Sequence, residues 1–286
     1  MKKRSRKRSN PNIYDAGSNP RKITSPEYPF LRKNKNKGTE KLTVEVRLNR
    51  YIAKAGICSR RDADKLIEKG EIKVNGKIIR EMGYKVKPAD RVLYKGRVLK
   101  RERFIYILLN KPKDFITTTE DPQDRKTVID LVKNHVHERV YPVGRLDRNT
   151  TGLLLLTNDG ELSEILAHPS YNIRKVYEVH LDSPLRKEDL SVLEEGLVLE
   201  DGPIKIDDFE VLSADRKIVG LEIHSGRNRI VRRIFEKLDY KVERLDRVMY
   251  AFLTKKDLPR GKWRFLKEHE VVRLKHLGKG RNRSFS

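Results

Sequence analysis

The apolar residues of this 286-residue chain come in short blocks, none longer than six residues. A membrane-spanning helix needs about 20 consecutive apolar residues. Blocks this short suit the buried strands and one-sided helices of a water-soluble fold. The clearest are Phe-Ile-Tyr-Ile-Leu-Leu at 104–109 and Leu153 to Leu156. Asn110-Lys111-Pro112 ends the first, and Asn158-Asp159-Gly160 reads as a turn after the second. Tyr177, Val179 and Leu181 alternate with Glu178 and His180, the pattern of a half-buried strand. Further strands are expected at 209–212 and 219–224, helices at 161–167 and 228–237, and a short helix at 128–132. Strands outnumber helices and the turns between them are short. The fold class is therefore α+β, with a mixed, mainly antiparallel sheet and flanking helices.

A smaller module precedes that region. Leu48, Ile52 and Ala55 recur at helical spacing, and Gly56 can close the helix in a left-handed conformation. Ser59-Arg60-Arg61-Asp62 resembles a capping box with Asp in place of Glu. Ala63, Leu66 and Ile67 form the apolar face of a second helix that ends at Gly70. Ile72 and Val74, the Asn75-Gly76 turn signal and Ile78 make a hairpin, with a further strand at 92–94.

Charge limits the partners. Sixty-five Lys and Arg against 41 Asp and Glu give a net +24, which calls for a polyanion, and nucleic acid is the default. Residues 1–41 hold 13 basic and 3 acidic residues, several prolines and no hydrophobic period, so a disordered basic arm is expected over 1–42. A loose basic tail is expected over 274–286. In the small module Arg47, Arg50, Lys54, Arg60, Arg61 and Lys65 fall on or beside the two helices. A solvated face normally mixes signs, so this near-uniform sign favours phosphate contact. The single cysteine, Cys58, excludes a disulfide framework and any multi-thiolate metal site. His135 and His137 could meet a metal on one strand, but a surface pair is the plainer expectation. No lipidation motif or basic amphipathic helix points to a membrane. The basic start leads into Asn, Pro and Ser rather than an apolar segment, so a cytoplasmic protein is expected, and one cysteine with no heptad pattern makes a monomer the default.

The most distinctive string is Gly144-Arg145-Leu146-Asp147-Arg148-Asn149-Thr150-Thr151-Gly152, leading into the leucine run. An acid between two arginines, on a glycine-bounded loop ahead of a buried strand, sits where catalytic groups tend to lie. Cationic neighbours favour the ionised form of a carboxylate. From the residues alone, an Arg-Asp-Arg cluster is more often a structural ion-pair network than a catalytic site.

Longer patterns add to this. Residues 45–95 resemble the S4-type RNA-binding domain, carried by Arg47-Leu48-Asn49-Arg50-Tyr51-Ile52-Ala53, Gly56, Ser59-Arg60-Arg61, the helix end from Ile67 to Gly70 and Val74-Asn75-Gly76. Gly-Arg-Leu-Asp at 144–147, followed by Thr-Gly-Leu-Leu-Leu-Leu-Thr-Asn-Asp-Gly at 151–160, resembles the signature of the RsuA/RluB family of pseudouridine synthases. Lys175-Val176-Tyr177-Glu178-Val179 and His224-Ser225-Gly226-Arg227-Asn228-Arg229-Ile230-Val231-Arg232-Arg233 resemble two further motifs of that family. Together the likeness covers about residues 45–273. It implies an RNA-binding domain at 43–100 and a catalytic domain of the pseudouridine synthase fold at 103–273.

By the same resemblance Asp147 is the catalytic aspartate, Tyr177 the tyrosine against the target base and Arg232 the arginine paired with the aspartate. Arg227 and Arg229 become phosphate binders, and Arg145 lies near the gap left by the extruded nucleotide. Arg47, Arg50, Arg60, Arg61 and Lys65 become RNA contacts. Ile230 stands where many relatives carry Gln, which puts any polar contact there in doubt. The implied reaction is isomerisation of uridine in ribosomal RNA by base flipping, with a structured stem-loop of the 23S molecule as the nearer match and 16S rRNA as the alternative. It requires no cofactor and no metal. The leucine run is expected to wall the pocket against water. A noncatalytic ribosome-assembly protein is the rival reading. A glycosidase with paired carboxylates would need a second acid beside Asp147; Asp159 reads as a turn residue, and Asp246 in the echo Arg244-Leu245-Asp246-Arg247 as structural or superficial.

Overall fold

A computed structural model describes residues 13–15, 28, 45–100 and 102–278. Contacts divide the chain into two compact units, residues 26–104 and the remainder.

The first strand, β1 (Tyr14–Asp15), belongs to the larger unit. In the smaller unit, β2 (Val46–Arg47) leads into α1 (Leu48–Lys54) and α2 (Arg60–Glu68). Then come β3 (Ile72–Val74), β4 (Lys77–Ile78), β5 (Lys85–Val86), β6 (Val92–Tyr94) and β7 (Arg97–Val98). Leu48, Ile52, Ala63, Ile67, Ile72, Val74 and Val92 close a core of their own. The Ser59 hydroxyl accepts the Asp62 N–H at 3.1 Å and donates to the Asp62 carboxylate at 2.6 Å, so the expected cap forms with Asp bonding the serine itself. Asn75 and Gly76 both take positive φ, as the hairpin turn requires.

The larger unit is built on one sheet. Its strands are β8 (Tyr106–Lys111), β9 (Tyr141–Pro142), β10 (Thr151–Thr157), β11 (Lys175–Leu181), β14 (Asp208–Val211), β15 (Ile218–Ile223), β16 (Val242–Tyr250), β17 (Leu253–Thr254) and β18 (Lys262–Phe265), with β1 on the edge. The order is β1-β18-β8-β10-β16-β11-β15-β14, and every pairing is antiparallel except β10 with β16. A separate hairpin of β12 (Leu197–Leu199) and β13 (Gly202–Ile204) stands off the sheet. The helices are α3 (Gly160–Ala167), α4 (Lys187–Glu195), α5 (Ile230–Lys237) and α6 (Glu268–Leu277). The mixed, mainly antiparallel architecture follows the sequence expectation. Leu153 to Leu156 are buried in a central strand, which explains a run without alternation.

Several expectations change. The arm read as disordered contributes β1: Tyr14 pairs with Trp263 across the edge, and their ring centroids lie 4.6 Å apart. The rest of the arm lies outside the described residues, apart from Ile13 and the buried Tyr28. The tail read as loose from 274 is helical through Leu277, and Lys275 pairs with Asp159 at 2.8 Å; residues 279–286 are outside the description. Asp159 caps α3 rather than merely turning the chain: its carboxylate accepts the Glu161 and Leu162 N–H groups and the Tyr106 hydroxyl. Residues 128–132 form successive turns with mixed i+3 and i+4 bonds instead of a helix. His135 is buried beside Trp263, not on the surface, whereas His137 is exposed.

One row of residues crosses the central strands. Lys111 on β8 faces Gly152 on β10, Gly152 faces Arg247 on β16, and Arg247 faces Tyr177 on β11. With strands about 4.8 Å apart, that row spans about 14 Å. Gly152 has φ +105°, and a Cβ there would sit 2.3 Å from the Arg247 carbonyl oxygen. Replacing Gly152 with Ala should therefore cost about 2–4 kcal/mol of stability from overpacking and backbone strain. Urea unfolding measures this; an unchanged midpoint would mean that the parallel seam tolerates a side chain.

Candidate active site

Asp147 lies on the loop that enters β10, and that loop is held from beneath. The Lys111 side chain is fully buried, and its Nζ donates to the carbonyls of Pro112, Asp147, Arg148 and Thr150 at 2.8–3.1 Å. Thr117 clamps the loop from the other side: its hydroxyl donates to the Leu146 carbonyl at 2.7 Å and accepts the Leu146 N–H at 3.2 Å. The Thr150 N–H returns to the Asp147 carbonyl, and the Asp114 N–H donates to the carbonyl of Arg148. Irregular backbone is thus satisfied by side chains rather than by a ladder. Burial lowers the Lys111 pKa to about 8, against the opposing pull of the Asp147 and Asp114 carboxylates.

The Asp147 carboxylate is about one-third exposed. Its Oδ2 lies 3.7 Å from Arg229 Nη1 and 3.8 Å from Arg232 Nε. Among the described residues neither carboxylate oxygen accepts a hydrogen bond. The group is held electrostatically while its lone pairs stay available. Arg232 is fixed from β16, where Nη1 donates to the Val242 carbonyl at 2.6 Å. Burial and the neighbouring Arg229 cation depress its pKa, and the Asp147 carboxylate opposes them.

A cavity of about 130 Å³ opens beside this carboxylate. Cavities of about 150 Å³ hold a benzene-sized ring, so the space matches one planar six-membered heterocycle. Asp147, Tyr177, Arg145, Arg227 and Arg229 all contribute to its lining, while Arg232 reaches Asp147 from outside it. Its apolar walls come from Leu146, Leu166, Ile230, Val231 and Leu245, not from the leucine run of β10, which is absorbed in the sheet. Ile230 thus belongs to a hydrophobic wall. Tyr177 is 8% exposed, and its hydroxyl has no partner among the described residues. The neighbouring Tyr250 hydroxyl donates to the Leu166 carbonyl, and burial drives its pKa to about 12.

Two further cations that line the cavity, Lys175 and Arg247, were not singled out from the sequence. Lys175 donates to the Ile173 and His224 carbonyls at 3.0 and 2.8 Å, tying the start of β11 to the end of β15; burial, with Arg247 nearby, lowers its pKa to about 8. Arg247 is buried, donates from Nε to the Leu153 carbonyl at 2.7 Å and stacks 4.5 Å from the Tyr250 ring. The signal for Lys111 was present: a lysine after Asn110 at the end of an apolar strand that runs through Leu109. Nothing in the local sequence signalled Arg247.

Asp246 is structural. It is buried and bonded to Thr151, Lys255 and Arg260. Burial raises its pKa, but these partners outweigh burial and hold it low. Arg227 binds Asp201 on the β12–β13 turn at 2.9 Å, and also the Asp201, Gly202 and Pro203 carbonyls, so its guanidinium anchors a hairpin. Arg233 bonds the same carboxylate. In the smaller unit Arg47, Arg60, Arg61 and Lys65 are exposed and Arg50 is half-buried; Lys65 pairs with Asp62 at 3.0 Å. Among the described residues no three metal-ligating side chains cluster.

The RNA pseudouridylate synthase family matches residues 105–237, and the S4 domain matches residues 46–92. The ribosomal large subunit pseudouridine synthase B of Bacillus subtilis (strain 168) is 46% identical over 235 residues, covering 81% of this chain and 96% of the relative. An uncharacterized RNA pseudouridine synthase of Aquifex aeolicus (strain VF5) is 42% identical over 235 residues, covering 81% and 94%. A crystal structure of a pseudouridylate synthase aligns at a TM-score of 0.59 and 30% identity, over 80% of this chain and 99% of that one.

The buried ammonium has a pH signature. Below about pH 8 Lys111 is charged in both folded and unfolded chains, and its burial penalty is complete. Between about 8 and the ordinary lysine value of 10.5 the unfolded chain binds the extra proton, so this group makes unfolding harder as pH rises. The unfolding free energy of the wild type relative to Lys111→Met should therefore shift in favour of the wild type across that window. A pH-independent difference would contradict the burial argument.

Proposed function

The chain belongs to the RNA pseudouridylate synthase family, and on that premise we propose that it isomerises a specific uridine of ribosomal RNA, in the large-subunit molecule, with Asp147 as the catalytic carboxylate. The observation that carries this reading is a carboxylate with no hydrogen bond among the described residues, 3.7–3.8 Å from two guanidinium groups, at the lip of a ring-sized cavity that Tyr177 helps to line. The large-subunit assignment is supported by the Bacillus subtilis relative, whose name gives that substrate.

The reaction breaks the bond from uracil N1 to the ribose C1′ and forms one from C5 to the same carbon, with loss of the C5 proton and protonation of N1. It balances without an oxidant, a group donor or hydrolysis. A stacked base is out of reach, so the nucleotide must be extruded into the cavity. Contact with the Tyr177 ring offsets part of the unstacking, by about 1–3 kcal/mol for comparable base–aromatic contacts. Asp147 then faces the ribose, where a carboxylate can attack C1′ or remove a neighbouring proton while the glycosidic bond breaks. Arg229 and Arg232, 3.7 and 3.8 Å from its Oδ2, hold it in position. The detached uracil has to turn in place, and the walls of Leu146, Leu166, Ile230 and Leu245 keep water from the ribose meanwhile. Arg145, exposed at the cavity mouth, is positioned to meet the RNA gap. The basic residues of the S4 module, Arg47, Arg50, Arg60, Arg61 and Lys65, supply affinity for a structured stem-loop.

Carbodiimide mapping of ribosomal RNA from cells with and without the protein tests the substrate: one large-subunit site should disappear. A lost site in the small-subunit RNA would reassign the target, and an unchanged map would sink the reading. Asp147→Asn should lower product formation by at least about 10³-fold with RNA affinity hardly changed. Retained turnover in this variant would remove Asp147 from the mechanism.

A further inference from the structure

A second concavity lies against Asp147. It measures about 870 Å³, several times the ring-sized cavity. Only Asp147, Arg229 and Leu245 line both. The larger cleft carries seven cationic side chains against two carboxylates, Asp147 and Glu243. Such an excess of one sign in a single depression is self-repelling unless an anion fills it.

Its cations divide by commitment. Arg260 is bound to Asp246, Arg232 to the Val242 carbonyl, and Arg148 lies 3.4 Å from Asp114. Lys113, Lys241 and Arg244 carry no ion pair or side-chain hydrogen bond among the described residues. The uncommitted cations belong to three separate segments: Lys113 follows β8, Lys241 precedes β16, and Arg244 lies on β16. Their convergence is tertiary and is not a basic run in the sequence.

We infer that this cleft, through Lys113, Lys241 and Arg244, binds the phosphodiester backbone of the RNA strand flanking the reacting nucleotide. The inference rests on the proposed function and deepens it. A nucleotide has a planar base, a sugar and a phosphate chain; here a ring-sized cavity and a large cationic cleft meet at one carboxylate. A base in the first and phosphates in the second put the ribose at Asp147. Arg229, which lines both spaces, stands at the junction, where it touches the carboxylate and meets the first phosphate. Backbone contacts fix register and position without reading sequence.

The test uses the full chain with Lys241→Gln, Arg244→Gln and the double variant, and with Lys187→Gln as a control from neither cleft. Binding of a uridine oligonucleotide is measured between about 50 and 200 mM salt, where log affinity falls with a slope of about 0.7 per single-strand phosphate contact. Each cleft variant should flatten that slope by about one contact and weaken binding about two- to fivefold. On a transcript of unmodified large-subunit rRNA, KM should rise in step, with a smaller effect on kcat, while Lys187→Gln behaves as wild type. Slopes and KM equal to wild type would overturn the inference, as would a loss confined to kcat. If the wild-type chain makes no pseudouridine on any rRNA, the functional reading fails; the oligonucleotide slopes still decide the cleft.

Discussion

The buried ammonium of Lys111 is the interaction on which the site is assembled. Four carbonyls converge on it, three of them from residues 147–150, the stretch that carries the carboxylate. An irregular loop above a sheet leaves carbonyls that water or side chains must satisfy. Here a single cation does so from within the adjacent strand. Removing it would leave several buried acceptors unpaired at once, at about 1–3 kcal/mol each. The lysine thus fixes the position of Asp147 without touching its carboxylate, and Thr117 holds the loop at Leu146.

The same strand row then sets the distance from carboxylate to aromatic ring. Lys111, Gly152, Arg247 and Tyr177 lie on successive strands in register. The β10–β16 pair is the parallel one in an otherwise antiparallel sheet, and Gly152 admits the Arg247 backbone at the point where it forms. Asp246, one residue earlier on β16, bonds Thr151 across the same seam. A strained glycine, a buried arginine and a buried aspartate therefore share one task. They hold the loop-bearing strand against the strand that pairs with the tyrosine.

Much of this was legible in the sequence, and the exceptions have physical causes. Alternation identified β11, and Leu153 to Leu156 identified a strand buried on both sides. The hairpin at Asn75-Gly76 and the Ser59 cap followed from turn and cap chemistry. β16 went unread because its charged residues, Arg244, Asp246 and Arg247, interrupt any apolar pattern; the charges of Asp246 and Arg247 are neutralised or bonded by partners distant in sequence, such as Arg260 and Leu153. β1 was hidden because two residues at a sheet edge need only a backbone partner and one aromatic contact. The motif string pointed to Asp147 and Arg232, and the structure brings them to 3.8 Å. It could not say which of the arginines in the same motif were already engaged.

That engagement divides the basic surface by function. A guanidinium held by a carboxylate and several carbonyls presents little charge to a ligand. Asp201 takes up Arg227 and Arg233 in this way, and the two guanidinium groups in turn hold its pKa to about 2. Two arginines of one motif thus become ties that hold the β12–β13 hairpin beside α5. Arg229, between them in sequence, takes a left-handed backbone conformation at the start of α5. Its guanidinium lies 3.7 Å from Asp147 and bonds Glu236 at 3.4 Å, whereas Arg227 and Arg233 bond Asp201. A non-glycine residue pays about 1 kcal/mol or more for such a conformation. Arg229 thus bridges Asp147 and Glu236, while its neighbours Arg227 and Arg233 hold the hairpin.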